Sequence, residues 1–285
     1  MRKSTIAFLM TLPLIVLLVL LVAYPAGSAI WLSMLDRGMT KFIGGDNFAL
    51  LFASGRFWRI VGQTSLFAIT AVVCKAILGF AAAHFMHNIP TRAQRKWRGL
   101  LLAPWVIPPA LSVLAWRELF DPSFGVVNWT LERIGINGIS WLAETGSARV
   151  TVILVTVWMG APFFMIMYLA SLKSVPAELY EAAAIDGATW WQRTRYVTFP
   201  MTRNVIAIVM LFSLIGGFTG FTIVNVLTSG GPLGATQVLA TAAFLVSFGA
   251  GNFPLGAAIS LCMVPVLAVA ATLILRTIAK RGSDV

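Results

Sequence analysis

Few side chains in this sequence could do chemistry, and most of those sit where little water is expected. Lys75 stands alone in the apolar run "QTSLFAITAVVCKAILGFAAAHFMHN". A charge inside a membrane span is a functional candidate by default. Its long stem could also carry the ammonium toward the headgroups, and that structural reading is preferred. His84 and His87 share a helix face at i, i+3 spacing, with no Cys, Asp or Glu beside them to complete a zinc site, so no metal is expected. Cys74 and Cys262 fall in apolar runs without metal-ligand spacing; they read as packing residues, with a disulfide between them left open. The glycines of "TSGGPLG" lack the Gly-Lys-Ser/Thr ending of a phosphate loop, and the chain has no Walker A sequence. All ten acids lie in loops or the tail. Converging acids, bases or metal ligands are missing, which argues against a membrane-embedded hydrolase or transferase. A carrier driven by protons or sodium stays as the rival reading, weakened because such carriers need a carboxylate within a span.

The polar material is concentrated in one place, "EAAAIDGATWWQRTRYVTFP", residues 181–200. Pro176 suits a first helical turn, where a missing N–H costs nothing. Glu178 and Glu181 would lie near the positive end of that helix. Ala182, Ala183 and Ala184 keep it thin, so another surface can approach closely. Asp186-Gly187 breaks it, since Gly tolerates the positive φ of a tight turn. Thr189 and Gln192 have the spacing of a capping box. A second short helix is expected to run to about Val197, with Pro200 ending it. The result is a helix–turn–helix over about 174–203, too apolar and small-sided for a solvated linker and suited to docking.

These residues must be positioned by helices in a membrane. Of the 285 residues 59% are hydrophobic and 11% charged, with a mean hydropathy of +0.87. A soluble chain of this length would carry about a quarter charged residues. Runs near the ~20 residues that a crossing helix needs predict an all-α integral membrane protein with six spans: 5–34, 60–87, 99–116, 150–172, 204–228 and 254–275. Both termini then share one side. That side holds thirteen of the 21 basic residues, among them Arg2, Lys3, Arg92, Arg95, Lys96, Arg98, Arg193, Arg195, Lys280 and Arg281, against seven opposite. The excess predicts cytoplasmic termini and a cytoplasmic hairpin between spans four and five. The net charge of +11 is therefore a topology signal. No basic face is interleaved with aromatics, so no nucleic-acid partner is expected. Arg2 and Lys3 followed by an apolar run imitate a secretory signal, but the run from Ile6 to Tyr24 is too long for one and reads as an uncleaved first span. "HNIPTRAQRKWRG" reads as a short cytoplasmic turn and "LTSGGPLGATQ" as an external, turn-rich loop. A single membrane domain, 1–285, is expected.

The polar stretch resembles the EAA loop of binding-protein-dependent ABC importers: Glu-Ala-Ala, a later Gly, an aliphatic residue, one further position and Leu-Pro. Glu181, Ala182, Ala183, Gly187 and Pro200 match, while Val197 and Phe199 stand where Ile and Leu are usual. The similarity extends in type and order through "LLLAPWVIPPALSVLAWRELFDPSFGVVN" (100–128), "VWMGAPFFM" (157–165) and "LTSGGP" (227–232). It is greatest to the larger-permease branch of the maltose importer family, whose common core the six spans would form. The resemblance implies a type I importer permease for a sugar or sugar-like solute in the bacterial inner membrane. It implies coupling through Glu181, Ala182, Ala183, Asp186, Gly187 and Pro200, with Glu181 pairing with a basic residue of the ATPase. Partners would be a second, non-identical permease, two cytoplasmic ABC ATPase subunits and a periplasmic solute-binding protein. ATP and Mg would be bound by the ATPases, with no cofactor on this chain. Matched segment by segment, Trp105, Trp158, Met159, Gly160, Phe163 and Ser213 fall at substrate-path positions, Trp105 and Trp158 as stacking platforms; for each, ordinary helix packing is the competing reading. Gly217 and Gly220 stand where the maltose branch has sugar-binding asparagines. Either the pocket is roomier here or its hydrogen bonds come from elsewhere.

Overall fold

The structure, a computed structural model, describes the backbone of residues 3–282 and the side chains of residues 10–274 and of Arg276. Arg2, residues 283–285 and the side chains of Lys3, Lys280 and Arg281, which enter the charge asymmetry, lie outside the described residues. Apart from one isolated bridge, Leu35 to Phe42, the regular elements among the described residues are helical. In chain order they are α1 (Lys3–Leu18), α2 (Tyr24–Ser33), α3 (Asp46–Ala53), α4 (Gly55–Asn88), α5 (Thr91–Val106), α6 (Pro109–Leu119), α7 (Val126–Arg133), α8 (Thr145–Lys173) and α9 (Ala177–Ile185). Then follow α10 (Trp190–Arg193), α11 (Phe199–Thr219), α12 (Thr222–Leu227), α13 (Leu239–Phe244), α14 (Phe253–Leu261) and α15 (Met263–Gly282). π-helical turns at Val19–Ala23, Thr194–Thr198 and Leu245–Gly249 carry the chain between neighbouring helices.

Among the described residues five continuous stretches are long and apolar enough to cross a membrane: Met10–Ser33, Gly55–Asn88, Thr145–Lys173, Trp190–Thr219 and Phe253–Ile274; α5 with α6 makes a sixth only as a pair bent by 91°. The third span therefore departs from the straight helix expected over 99–116. Pro108 and Pro109 follow Ile107, and a residue before proline is pushed out of the α region. Ile107 and Pro108 are extended, with ψ of 133° and 131°. The expected turn before it is also mostly helix: Pro90 stops α4, and α5 begins at Thr91. Residues 239–249, which lie outside the expected spans, form α13 and its π turn.

The contacts gather the described residues into two compact units. In the unit from Ile60 to Thr241, two apolar clusters do the packing. One joins α4, α6, α8 and α12 through Phe67, Val113, Phe120, Val155 and Leu227. The other joins α4, α8 and α11 through Met86, Phe164, Met165, Tyr168 and Val209. Gly79 permits the approach of α4 to α8: a Cβ there would overlap the Phe164 Cβ and stand 3.0 Å from the Met165 amide nitrogen. Small residues let helix backbones meet this closely. The stretch before α13 is tied down by side chains of two spans. Gln63 Nε2 and Arg149 Nε both donate to the Ala235 carbonyl, at 2.9 and 3.1 Å, and Thr64 Oγ1 accepts from the Leu239 amide at 2.9 Å.

In the unit that reaches to Arg59 and takes in Ala242–Pro265, α14 packs on α2 and α3. Asn47 Nδ2 donates to the carbonyls of Ser33 and Leu35, both at 2.8 Å, and Arg37 Nη2 donates to the Ala250 carbonyl at 2.9 Å. Asp36 closes the first loop by accepting from the amides of Thr40 (2.7 Å) and Lys41 (2.8 Å), and these bonds hold its carboxyl below the ordinary aspartate value.

Candidate functional site

The hairpin between α8 and α11 is built by local rules. Pro176, at φ −57°, precedes α9, and Glu178 sits in the first turn. At the other end Gly187 adopts φ +71°. Its amide bonds the Ala184 carbonyl at 3.1 Å and the Ala188 amide bonds the Ala183 carbonyl at 2.9 Å. This pair of bonds around a left-handed residue is a Schellman stop. Thr189 then starts the next helix with the expected capping box: its amide donates to Gln192 Oε1 at 2.7 Å, and Gln192's amide donates to Thr189 Oγ1 at 3.4 Å.

One expectation fails here. Pro200 does not end the second helix, which runs from Trp190 to Thr219 as a single 30-residue stretch. The π turn explains it. The Phe199 amide reaches back five residues to the Thr194 carbonyl. The widened turn accommodates a proline ring that would break a regular α-helix at that depth. The hairpin is thereby joined directly to the helix that crosses the membrane.

Two side-chain pairs hold the hairpin in place. Tyr180 Oη meets Thr198 Oγ1 at 3.0 Å, linking α9 to the helix that follows it. Trp190 Nε1 donates to His84 Nε2 at 2.7 Å, with the rings edge-to-face at 5.1 Å. His84 in turn stacks on Phe80 at 5.9 Å. The histidine that the sequence offered for metal binding is thus an acceptor anchoring the hairpin to α4. Among the described residues no three His, Cys, Asp or Glu side chains gather as a metal group. The outward surface is apolar: Leu179, Ile185 (87% exposed), Trp191 (63% exposed) and Tyr196 are exposed. Glu181, Ala182, Asp186, Gly187 and Pro200 are exposed and Ala183 half-buried. Glu181 has no hydrogen-bond or ion-pair partner among the described residues.

The six path candidates are divided by the structure. Trp105 on α5 and Phe163 on α8 stack at 6.1 Å, and Trp105 is half exposed. Trp158 instead meets Trp116 of α6 edge-to-face at 5.3 Å, and Met159 packs against the α4–α6–α8–α12 cluster. Trp158 and Gly160 point roughly 200° apart around α8, which is why they serve different neighbours. Gly160 and Ser213 come together, through a residue assigned elsewhere. Lys75 is only 7% exposed, its Nζ donates to Ser213 Oγ at 2.9 Å, and its stem lies over Gly160. The snorkelling reading of Lys75 is overturned. At 1.5 Å per residue its Cα is about 20 Å from the nearer end of α4, beyond the reach of the stem, and α11 offers a closer partner. At Gly217 no extra room exists: a Cβ there would stand 3.0 Å from the Cβ of Ala68.

The described residues thus form helical spans, one of them broken at prolines, with a helix–turn–helix continuous with a crossing helix. A bacterial ABC transporter that imports the acidic polysaccharide alginate has a chain of the same fold: TM-score 0.85, 23% identity, covering 97% of this chain and 96% of that one. The family described as "Binding-protein-dependent transport system inner membrane component" matches residues 3–282, and the chain belongs to it. It is an ABC importer permease of the inner membrane, and the ion-driven carrier reading falls with that membership. The trehalose/maltose permease MalF of Thermococcus litoralis is 31% identical over 91% of this chain and 89% of its own. The sulfoquinovosyl glycerol permease SmoG of Agrobacterium fabrum is 30% identical over 92% and 88%.

Proposed function

We propose that this permease passes a sugar or sugar-like solute from a periplasmic solute-binding protein to the cytoplasm, driven through residues 174–203 by two ABC ATPase subunits. ATP and Mg are bound by those subunits, and the chain itself catalyses nothing. The observation that carries the coupling reading is the hairpin's surface: an exposed apolar ridge beside an unpartnered Glu181, on an element clamped to α4 and continuous with α11. An exposed apolar ridge of this kind marks a surface that something else covers, and the unpartnered carboxylate beside it favours a protein partner over lipid. Force applied there is transmitted along a helix, with Glu181, Asp186 and the Ala182–Ala183 face making the contact. A second, non-identical permease supplies the other hairpin. The positive-charge excess supports cytoplasmic termini and a cytoplasmic hairpin. The sugar reading is supported by relatives named as trehalose/maltose and sulfoquinovosyl glycerol transport permeases. Residues 1–285 act as one membrane domain in this reading. Trp105 with Phe163 provides the aromatic face that a sugar ring needs. Trp158 and Met159, which pack toward α6, would act on the path by holding α6 against α8.

The test is gentle extraction of the tagged chain from its native membrane, with co-purifying proteins identified by mass spectrometry. An ATPase and a second permease are expected with the wild type. Glu181→Lys should lower ATPase recovery about tenfold or more, as reversing an interfacial charge does, while still inserting. A wild-type chain that emerges alone from several mild detergents would refute the coupling.

A further inference from the structure

Lys75 is an ammonium well inside α4 with nothing negative to neutralise it among the described residues. Its Nζ carries three donors, and the contact to Ser213 Oγ at 2.9 Å uses one. No carboxylate lies within ion-pair distance of it among the described residues. Burying an isolated charge is costly unless it is paired, so an unpaired lysine of 7% exposure calls for a transient partner.

Three helices are arranged around the group. On α8, Gly160 leaves the space that the lysine stem occupies: a Cβ there would lie 2.5 Å from Lys75 Cδ and 3.2 Å from Nζ. On α11, Ser213 accepts from the ammonium, which leaves its own hydroxyl proton free to donate outward. One turn further on, Gly216 is exposed and has open space where a Cβ would be. One turn along α8 from Gly160, Phe163 stacks with the half-exposed Trp105. A cation, a hydroxyl donor, a gap and an aromatic face are what a sugar acid requires. The cation and hydroxyl take the acid oxygens, and the aromatic face takes the ring. A neutral sugar would satisfy the aromatic face and leave the charge unmatched.

We infer that Lys75 and Ser213 form an anion subsite in the transport path, so the permease selects sugars bearing a carboxylate, sulfonate or phosphate. The inference rests on the sugar-permease reading above. The experiment replaces the chain in its native host by wild type, Lys75→Met, Lys75→Arg or Ser213→Ala. It then measures uptake of labelled glucose and maltose against glucuronate, glucose 6-phosphate and 6-sulfonated glucose, with membrane levels followed by immunoblot. Acidic sugars should enter through the wild type at least about tenfold faster than neutral ones, and Lys75→Met should erase that preference, since charged hydrogen bonds of this kind discriminate by about that factor. Lys75→Arg should retain it, and Ser213→Ala should weaken it several-fold. Equal entry of neutral sugars through the wild type overturns the inference, as does a preference that survives Lys75→Met. If Lys75→Met is missing from the membrane, Ser213→Ala decides: an undiminished preference refutes the subsite. If removing the whole chain changes the uptake of no sugar, neutral or acidic, the sugar-permease reading itself fails.

Discussion

Trp190→Phe is the substitution whose effect can be worked out most directly. The indole donates to His84 Nε2 at 2.7 Å while its ring meets the imidazole edge-to-face at 5.1 Å. Phenylalanine keeps the ring contact and removes the donor. The net loss is one hydrogen bond, about 1 kcal/mol, which corresponds to about a fivefold change in a local equilibrium. Trp190→Ala removes the ring pair as well, about 2 kcal/mol in all. The equilibrium in question is release of the hairpin's second helix from α4. It can be read from amide hydrogen exchange at Gln192 and Arg193, whose amides bond Thr189 at 3.4 and 3.0 Å. Such local openings are what exchange measures. Exchange there should accelerate about fivefold in Trp190→Phe, and Trp191→Phe should leave it unchanged, because Trp191 is 63% exposed and phenylalanine keeps its ring contact with Trp190. His84→Ala combined with Trp190→Phe should add little to His84→Ala alone, the mark of a direct pair. Unchanged exchange in Trp190→Phe, or equal acceleration in Trp191→Phe, would refute the anchor.

Two further outcomes follow from the packing and from the first loop. Gly160→Ala places a methyl 2.5 Å from Lys75 Cδ. Overpacking of this kind costs about 1–3 kcal/mol, so the thermal midpoint in detergent should fall, and it should recover when Lys75→Ala is added; no recovery would mean the methyl clashes elsewhere. At Asp36 the bound amides of Lys41 and Thr40 lower the carboxyl below its reference value of 3.8. A depressed folded value gives stability that is present above 3.8 and lost as pH falls through the lower, folded value. Exchange protection of the Thr40 and Lys41 amides should therefore hold at pH 5 and collapse only below about 3.8, and Asp36→Asn should weaken it already at neutral pH.

The parts of the hairpin that were legible in advance share one property: each is decided within a few residues. Thr189 and Gln192 satisfy each other's amides across one turn, and Gly187 is needed because a left-handed residue must close α9. The misread parts depended on how neighbouring rules combine. Pro200 has the chemistry of a helix stop, but a π turn four residues earlier absorbs it. Pro108-Pro109 has the chemistry of a break, yet its apolar surroundings read as one continuous span. His84 and Trp190 lie 106 positions apart, and neither reveals the other.

The sequence by itself determined that this chain lives in a membrane, roughly where it crosses, and that a capped polar hairpin interrupts the crossings. Those properties follow from transfer free energy summed over a span and from backbone bonds made within a turn, and both are local. The tertiary structure alone decided what the buried groups do. A lysine near the middle of α4 can reach for water or turn inward, and its own neighbours do not choose between these. Gly160, on a different helix, leaves the space, and Ser213, on a third, supplies the acceptor. Burial cost is set by whichever side chains meet at a point in space, and chain order does not specify that meeting.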